Sequence, residues 1–158
     1  MTPLIKIRVW YAAFIVALFL SGITAFPLEW ELSILNNYFG PETSFGQTYP
    51  SFSEWINRVY KGISETNNKF PFMAYGTDWL AFAHIVLAIL FIGPFINPVK
   101  NIWVTQFGLI CCVLVFPLAF ICGSIRGIPF YWQLIDCSFG LLGAIPLLII
   151  LHLTKKTI

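Results

Sequence analysis

The stretch from Phe130 to Leu153, FYWQLIDCSFGLLGAIPLLIILHL, decides the fold class of this chain. A helix that crosses a bilayer needs roughly 20 predominantly apolar residues, and this stretch exceeds that length with Asp136 as its only Asp, Glu, Lys or Arg. Three further apolar runs, at residues 9–26, 79–95 and 102–122, contain none of those four residue types. The sequence therefore predicts four membrane-spanning helices.

The composition of the whole chain agrees with this prediction. Of 158 residues, 58% are hydrophobic and only 10% are charged, and the mean hydropathy is +0.81. A soluble domain carries about a quarter charged residues. A formal net charge of +2 does not fit a nucleic-acid binder. We expect a single membrane domain over residues 1–158, an all-α, polytopic four-helix bundle with the lipid bilayer and no nucleic acid as partner.

The basic residues near the span ends predict the orientation, because cytoplasmic segments of membrane proteins are enriched in Lys and Arg. With both termini in the cytoplasm, the inner segments hold only basic residues and no acidic ones: Lys6, Arg8, Lys100, Lys155 and Lys156. The segment between the first two spans then lies outside. Lys6 and Arg8 before an apolar run also fit a signal peptide with Ala25 near its cleavage site. Ile23 suits such a site poorly, and we expect a retained anchor.

The outer loop, residues 27–78, holds most of the polar residues of the chain. Apolar residues recur at helical spacing over residues 52–64, which predicts a short amphipathic helix. Ser51, directly before this range, and Glu54, within its first turn, have the spacing of a capping box. Pro27 and Gly40 bracket a second helical piece. The apolar face of the amphipathic helix needs lipid or the outer end of the bundle beneath it, so we expect a lid rather than an independent domain.

Ionisable side chains within the spans are the strongest functional signal, because a charge left in lipid costs several kcal/mol. His84 and Asp136 each lie about six residues below the outer end of their span, a depth of about 9 Å. Arg126 lies in the outer turn before the fourth span. The buried polarity is therefore expected on the outer half, in a ligand pocket with Phe82 and Trp79 among its walls. Its predicted binding residues are Asp78, His84, Arg126, Trp132, Gln133 and Asp136.

The spacing of residues along the fourth span predicts which face this pocket occupies. Gln133, Asp136, Gly140 and Gly143 follow a 3, 4, 3 pattern that places them on one stripe of a helix. Small residues allow two helices to approach closely in a membrane. The stripe is therefore expected to face the bundle and not the lipid.

Other roles for these residues remain open at the level of sequence. In a scaffold, Asp136 only fixes the register of the helices through hydrogen bonds. In a membrane enzyme acting on a lipid or lipid-linked substrate, His84 or Asp136 is the general base and Arg126 holds an anionic group. The sequence does not decide whether the protein is an enzyme.

Cofactor and metal sites are not expected. His84 and His152 lie near opposite membrane faces and cannot share a haem iron. The four cysteines form no Cys-x-x-Cys pair, and the outer polar residues do not provide an obvious zinc-ligand set. We expect no cofactor and no metal.

Three segments carry a family resemblance: YGTDWLAFAH at residues 75–84, IGP with NPVKNIW at residues 92–103, and IRGIPFYWQLID at residues 125–136. They resemble a group of small bacterial four-span inner-membrane proteins without an assigned activity, over roughly the last 85 residues of this chain. The resemblance implies a bacterial inner-membrane location and adds no mechanism. We expect a non-enzymatic protein whose outer pocket binds a lipid headgroup, a small molecule or a partner membrane subunit, with a homo-oligomer as a further possibility.

Overall fold

The computed structural model describes residues 2–156, and these residues are almost entirely helical, with no strand among them. Four helical stretches are long and apolar enough to cross a membrane: Pro3–Ala25, Pro71–Ile96, Ile102–Ile125 and Phe130–Lys155. The predicted fold class, an all-α protein with four membrane-spanning helices, is confirmed. The chain is a multi-pass membrane protein.

The helices follow one another with short connections. In chain order they are α1 (Pro3–Ala25), α2 (Leu28–Phe39), α3 (Ser44–Thr48), α4 (Pro50–Lys69), a 3-10 turn (Pro71–Ala74), α5 (Tyr75–Leu90), α6 (Ile92–Ile96), α7 (Ile102–Pro117), a π-helical turn (Leu118–Cys122), α8 (Gly123–Ile125) and α9 (Phe130–Lys155). The last span ends two residues beyond its predicted boundary. The first two spans begin six and eight residues before theirs, because Arg8 and Asp78 interrupt the uncharged run without ending the helix.

The segment between the first two spans contains the two helices that the sequence predicts. α2 begins after Pro27 and ends before Gly40, as expected. The amphipathic helix, predicted over residues 52–64, is the longer α4. Its start is not the predicted capping box: Pro50 occupies the first turn and no side chain caps the helix at Tyr49. Pro suits that position because the first N–H groups of a helix have no partner within it.

The chain divides into two compact units. Among the described residues, the core unit consists of residues 2–18 and 86–156, and the pocket unit consists of residues 19–85. In the core unit, residues from the start of α1 and the end of α9 enclose Phe91. The buried cluster is Ile7, Tyr11, Phe91, Leu147 and Ile150.

α7 and α9 pack closely within the core unit. A Cβ at Gly140 of α9 would lie 2.6 Å from the carbonyl oxygen of Cys112, and a Cβ at Gly108 of α7 would lie 2.9 Å from Leu147. Glycine is required at Gly140 because the neighbouring atom belongs to the backbone and cannot move aside. The prediction that small residues of the fourth span face another helix agrees with this contact.

The buried stripe of α9 differs from the predicted one at two positions, because Asp136 and Gly143 are only half-buried. The buried positions are Gln133, Cys137, Gly140, Leu147, Ile150 and Thr154. Cys137 therefore takes the place expected for Asp136, which is half-buried beside the stripe. Helical spacing admits both residues, because Asp136 lies four positions and Cys137 three positions before Gly140. The packing of α9 in the folded protein buries Cys137.

Pro117 marks a change of helix type in the third span. The α-helical hydrogen-bond pattern of α7 ends at this proline, and residues 118–122 form a π-helical turn. Proline has no N–H to donate and disturbs the preceding turn. The third span therefore changes from α-helical to π-helical hydrogen bonding directly after Pro117.

In the pocket unit, α4 packs against α2, α3 and the 3-10 turn. Ser53 and Ile56 are the buried residues of α4. The apolar face of this helix thus has protein beneath it, supplied by the same segment of chain. The ends of the two spanning helices also approach each other here, since a Cβ at Gly22 would lie 2.8 Å from the carbonyl oxygen of Ala81.

Candidate functional site

The pocket unit contains an open cavity of about 550 Å³, within the size range of small-molecule sites. We call it the Glu29 pocket. Its walls come from the residues that follow α1, the first turns of α2, the second half of α4, the 3-10 turn and the first turn of α5. The pocket therefore lies where the first spanning helix ends and the second begins.

Glu29 is fixed at the wall of this pocket. Asn67 of α4 donates a hydrogen bond from Nδ2 to Oε2 of Glu29 at 2.8 Å. Hydrogen bonds from Asn67 and then Ser64 lower the pKa of the Glu29 carboxyl below its ordinary value of 4.5. The ionised form accepts these bonds better than the protonated form. Glu29 is therefore a positioned negative charge at neutral pH.

Asp78 brings a second carboxylate to the same pocket. It lies in the first turn of α5 and is half-buried. In the part of the chain that the structure describes, its carboxylate has no hydrogen-bond or ion-pair partner. A negative charge in the first turn is favoured by the helix dipole. Of the six predicted binding residues, Asp78 is the one that lines this cavity.

Apolar side chains complete the Glu29 pocket. Phe26, Trp30 and Met73 line it while 46%, 64% and 58% of their surfaces remain exposed, and the half-buried Tyr60 adds a phenol ring. Exposed apolar surfaces of this size are stabilised when a ligand or lipid covers them. The pocket thus combines a few fixed polar groups with an aromatic wall, the usual composition of a binding site.

His84, the other predicted site residue of the pocket unit, does not line the Glu29 pocket. Its Nδ1 lies 2.8 Å from the carbonyl oxygen of Leu80 one turn earlier in α5. The predicted wall residues Trp79 and Phe82 are both more than half exposed and form an edge-to-face pair, with ring centroids 5.8 Å apart. His84 is half-buried where α5 passes Gly22.

The remaining predicted site residues belong to the core unit. Gln133 is buried, with 3% of its surface exposed, and donates a hydrogen bond from Nε2 to the carbonyl oxygen of Ile128 at 2.8 Å. Trp132 is half-buried next to it. Arg126 is exposed in the turn before α9. No ion pair joins Arg126 to Asp136, although both lie within the described residues, so the structure does not pair these two predicted site residues.

Gln133 closes the turn that leads into α9. A Cβ at Gly123 would lie 2.9 Å from the side chain of Gln133, so the glycine makes room for the amide. The Oε1 atom of Gln133 is buried and has no hydrogen-bond partner within residues 2–156. The side-chain amide of Gln133 therefore hydrogen-bonds to the backbone of the 123–128 turn through Nε2 only.

Buried polar groups occur outside the predicted outer half as well. Tyr11 and Thr105 share a hydrogen bond of 2.6 Å between their hydroxyl oxygens, and Thr154 near the end of α9 is buried. Tyr11 lies in the first half of α1, Thr105 near the start of α7 and Thr154 near the end of α9. These are the ends of the spans on the side of the two chain termini. The expectation that buried polarity is confined to the outer half is wrong, because it counted ionisable residues and overlooked neutral hydroxyls.

A second, smaller cavity of about 340 Å³ lies in the pocket unit. It is lined mainly by amide and charged side chains, including Asn36, Asn37, Glu42, Asn57 and Lys61. Sequence reasoning missed both cavities. The available signal was the concentration of polar residues in residues 27–78, but their pairing across α2 and α4 depends on tertiary contacts. Across residues 2–156, no group of three or more His, Cys, Asp or Glu side chains is placed to hold a metal ion.

Comparisons with known protein families, with curated proteins and with solved structures found no match for this chain. The resemblance to small bacterial four-span proteins therefore stays a prediction. The grouping of all six predicted binding residues in one site also stays a prediction.

Proposed function

We propose that this multi-pass membrane protein has a binding role and that the Glu29 pocket is its ligand site. The observation that carries the proposal is the cavity of about 550 Å³ with two carboxylates and an aromatic wall. Fixed polar groups orient a ligand, and apolar walls contribute the burial that holds it. A lipid headgroup or a small molecule fits this volume.

The location of the pocket supports a ligand that is met at the membrane surface. Phe26 directly follows the first spanning helix, and Met73 and Ala74 belong to the turn that opens the second. Spanning helices end near the headgroup level of a bilayer. Both lipid headgroups and dissolved molecules reach that level.

We further propose that the pocket faces the outside of a bacterial inner membrane, with both termini in the cytoplasm. The distribution of Lys and Arg supports this orientation. Single cysteines placed in a variant without the four native cysteines test it in intact cells. A membrane-impermeant maleimide should label Asn68→Cys at once, and Lys100→Cys only after the cells are permeabilised. The reverse pattern would contradict the orientation.

Ligand retention tests the binding role directly. The protein is extracted with its surrounding lipids in polymer-bounded discs, and the bound molecules are compared by mass spectrometry. Ala74→Phe adds a ring to the wall of the pocket, whereas Ala83→Phe adds the same ring to an exposed position of α5 that does not line it. We expect a molecule that is enriched with the wild type and with Ala83→Phe and is lost with Ala74→Phe.

Thermal unfolding of the same samples serves as the control that both variants are folded. If the same molecules are enriched with all three proteins, the Glu29 pocket is not a ligand site. Ser33→Leu, at a second lining position, provides an independent way of filling the pocket.

A further inference from the structure

We propose that the ligand of the Glu29 pocket is an organic cation, recognised through a substituted ammonium group that is carried either by a lipid headgroup or by a free amine. This inference rests on the proposed binding role and adds the chemical class of the ligand. It is carried by the charge of the pocket, its aromatic wall and its position at the ends of two spanning helices.

The charge of the pocket is negative. Glu29 and Asp78 both line it, and among the described residues that line it none is Lys, Arg or His. The Glu29 carboxylate accepts hydrogen bonds from Asn67 and Ser64, but a carboxylate has room for about four. The Asp78 carboxylate has no protein partner within the described residues. Two negative charges that lack a protein cation favour a ligand that supplies one.

The aromatic wall favours an organic cation over an inorganic one. Trp30, Phe26 and Tyr60 line the same cavity as the carboxylates. The face of an aromatic ring attracts an ammonium group, and Trp does so best. A metal cation prefers a cage of oxygen atoms and gains little from such a wall. The volume also exceeds what a single hydrated ion requires and leaves space for the rest of an organic molecule.

Direct titration with small probes tests whether the ligand is an organic cation. The full-length protein is purified in dodecyl maltoside, which is uncharged and contains no amine, and is titrated with tetramethylammonium, ethanolammonium, ethylene glycol and acetate. We expect the two ammonium probes to bind and the neutral and anionic probes not to bind. Calorimetry measures the affinity, and added salt at constant probe concentration corrects for general screening.

Variants assign the binding to the pocket. Asp78→Asn and Glu29→Gln keep the shape of each side chain and remove its charge, and each should lower the affinity for ammonium by about ten- to a hundredfold. Glu65→Gln removes an equivalent charge from the exposed surface of α4 and should leave the affinity within about twofold. Trp30→Leu should lower the affinity for the ammonium probes. Trp103→Leu alters an exposed tryptophan of α7 and should leave this affinity unchanged.

The source of the ammonium group is found by adding lipids to the same micelles. If the natural ligand is a headgroup, phosphatidylethanolamine should displace the ammonium probes and phosphatidylglycerol should not. If it is a free amine, neither lipid should displace them. Either result is compatible with recognition of an organic cation.

Two results would overturn the inference. Equal binding of neutral and cationic probes, or ammonium binding that both charge-removing variants leave unchanged, would exclude recognition of a cation while leaving the pocket as a ligand site. A molecule without an amine that is retained by the wild type and lost with Ala74→Phe would do the same. If no probe binds and no molecule is retained, the proposed binding role fails as well.

Discussion

Asn67 donates its side-chain N–H to the Glu29 carboxylate at 2.8 Å, and this bond joins α4 to α2 across 38 positions of the chain. It lies at the wall of a cavity that also contains Asp78. The bond therefore holds α2 and α4 together at the pocket wall and also fixes the position of the Glu29 charge.

Removal of the Asn67 amide should disturb the Glu29 pocket more than it disturbs the rest of the protein. We expect Asn67→Ala to weaken ammonium binding several-fold and to lower thermal stability slightly. Asn68→Ala is the matched control, because the Asn68 amide is exposed and bonds to the carbonyl oxygen of Ser64 in its own helix. Calorimetry should show wild-type affinity for Asn68→Ala. Equal affinities for both variants would mean that the bond does not position Glu29.

Acid should weaken the pocket unit through Glu29. Its carboxyl has a lower pKa in the folded protein than its ordinary value of 4.5, because Asn67 and Ser64 hydrogen-bond to it. Such a group contributes stability above the unfolded pKa and loses that contribution as the pH falls through the folded pKa. We expect thermal stability to be constant between neutral pH and about pH 5 and to fall below about pH 4.5.

Glu29→Gln should flatten the acid limb of this curve, whereas Glu65→Gln should leave it as in the wild type. Melting temperatures measured at a series of pH values check both expectations. A curve for Glu29→Gln that superimposes on the wild-type curve would show that other groups cause the acid dependence.

The approach of α9 to α7 should tolerate no side chain at Gly140. Its Cβ would lie 2.6 Å from the backbone oxygen of Cys112, so Gly140→Ala must push the helices apart. We expect a loss of about 1–3 kcal/mol of stability, the usual cost of overpacking. Gly62→Ala in α4 has open space around its Cβ and should gain about 0.5–1 kcal/mol from helix propensity. Unfolding titrations in mixed micelles measure both changes.

Tyr11 and Thr105 should show energetic coupling. Tyr11→Phe keeps the ring and leaves the buried Thr105 hydroxyl without its 2.6 Å partner. Hydrogen bonds between membrane helices contribute about 0.6–2 kcal/mol, and we expect a loss in that range. Adding Thr105→Val should recover part of it, because no hydroxyl is then left unpaired. Tyr38→Phe alters an exposed tyrosine and should change stability by less than about 0.5 kcal/mol. Additive losses would exclude the coupling.

Asp136 and Cys137 should respond in opposite ways to asparagine. Asp136 lies beside the buried stripe without an ion-pair partner in the described chain, so Asp136→Asn should leave stability unchanged or raise it. Cys137, with 3% of its surface exposed, lies within the stripe, and Cys137→Asn should cost about 1–3 kcal/mol for a buried amide. Unfolding titrations compare the two. A large loss with Asp136→Asn would contradict this expectation and would favour the scaffold role that the sequence leaves open as an alternative.

The spanning helices were predictable because each depends on its own apolar run. α2 was predictable as well, since Pro27 and Gly40 mark both of its ends. The Glu29 pocket was not predictable, because the meeting of Glu29 with Asn67 and Asp78 depends on how α2, α4 and α5 pack. The same reason explains the shifted stripe on α9: spacing alone allowed Asp136, whereas the packing of the folded protein buries Cys137.

The buried cluster of the core unit has a consequence for the order in which the protein assembles. Ile7 and Tyr11 are synthesised long before Leu147 and Ile150, with which they share their packing. The Tyr11 hydroxyl likewise meets Thr105 only after the intervening chain has been made. During translation the Tyr11 hydroxyl therefore lacks its native partner until α7 has been made, and Ile7 lacks its native packing until α9 has been made. The buried cluster of the core unit thus closes only at the end of synthesis, after every spanning helix has been made.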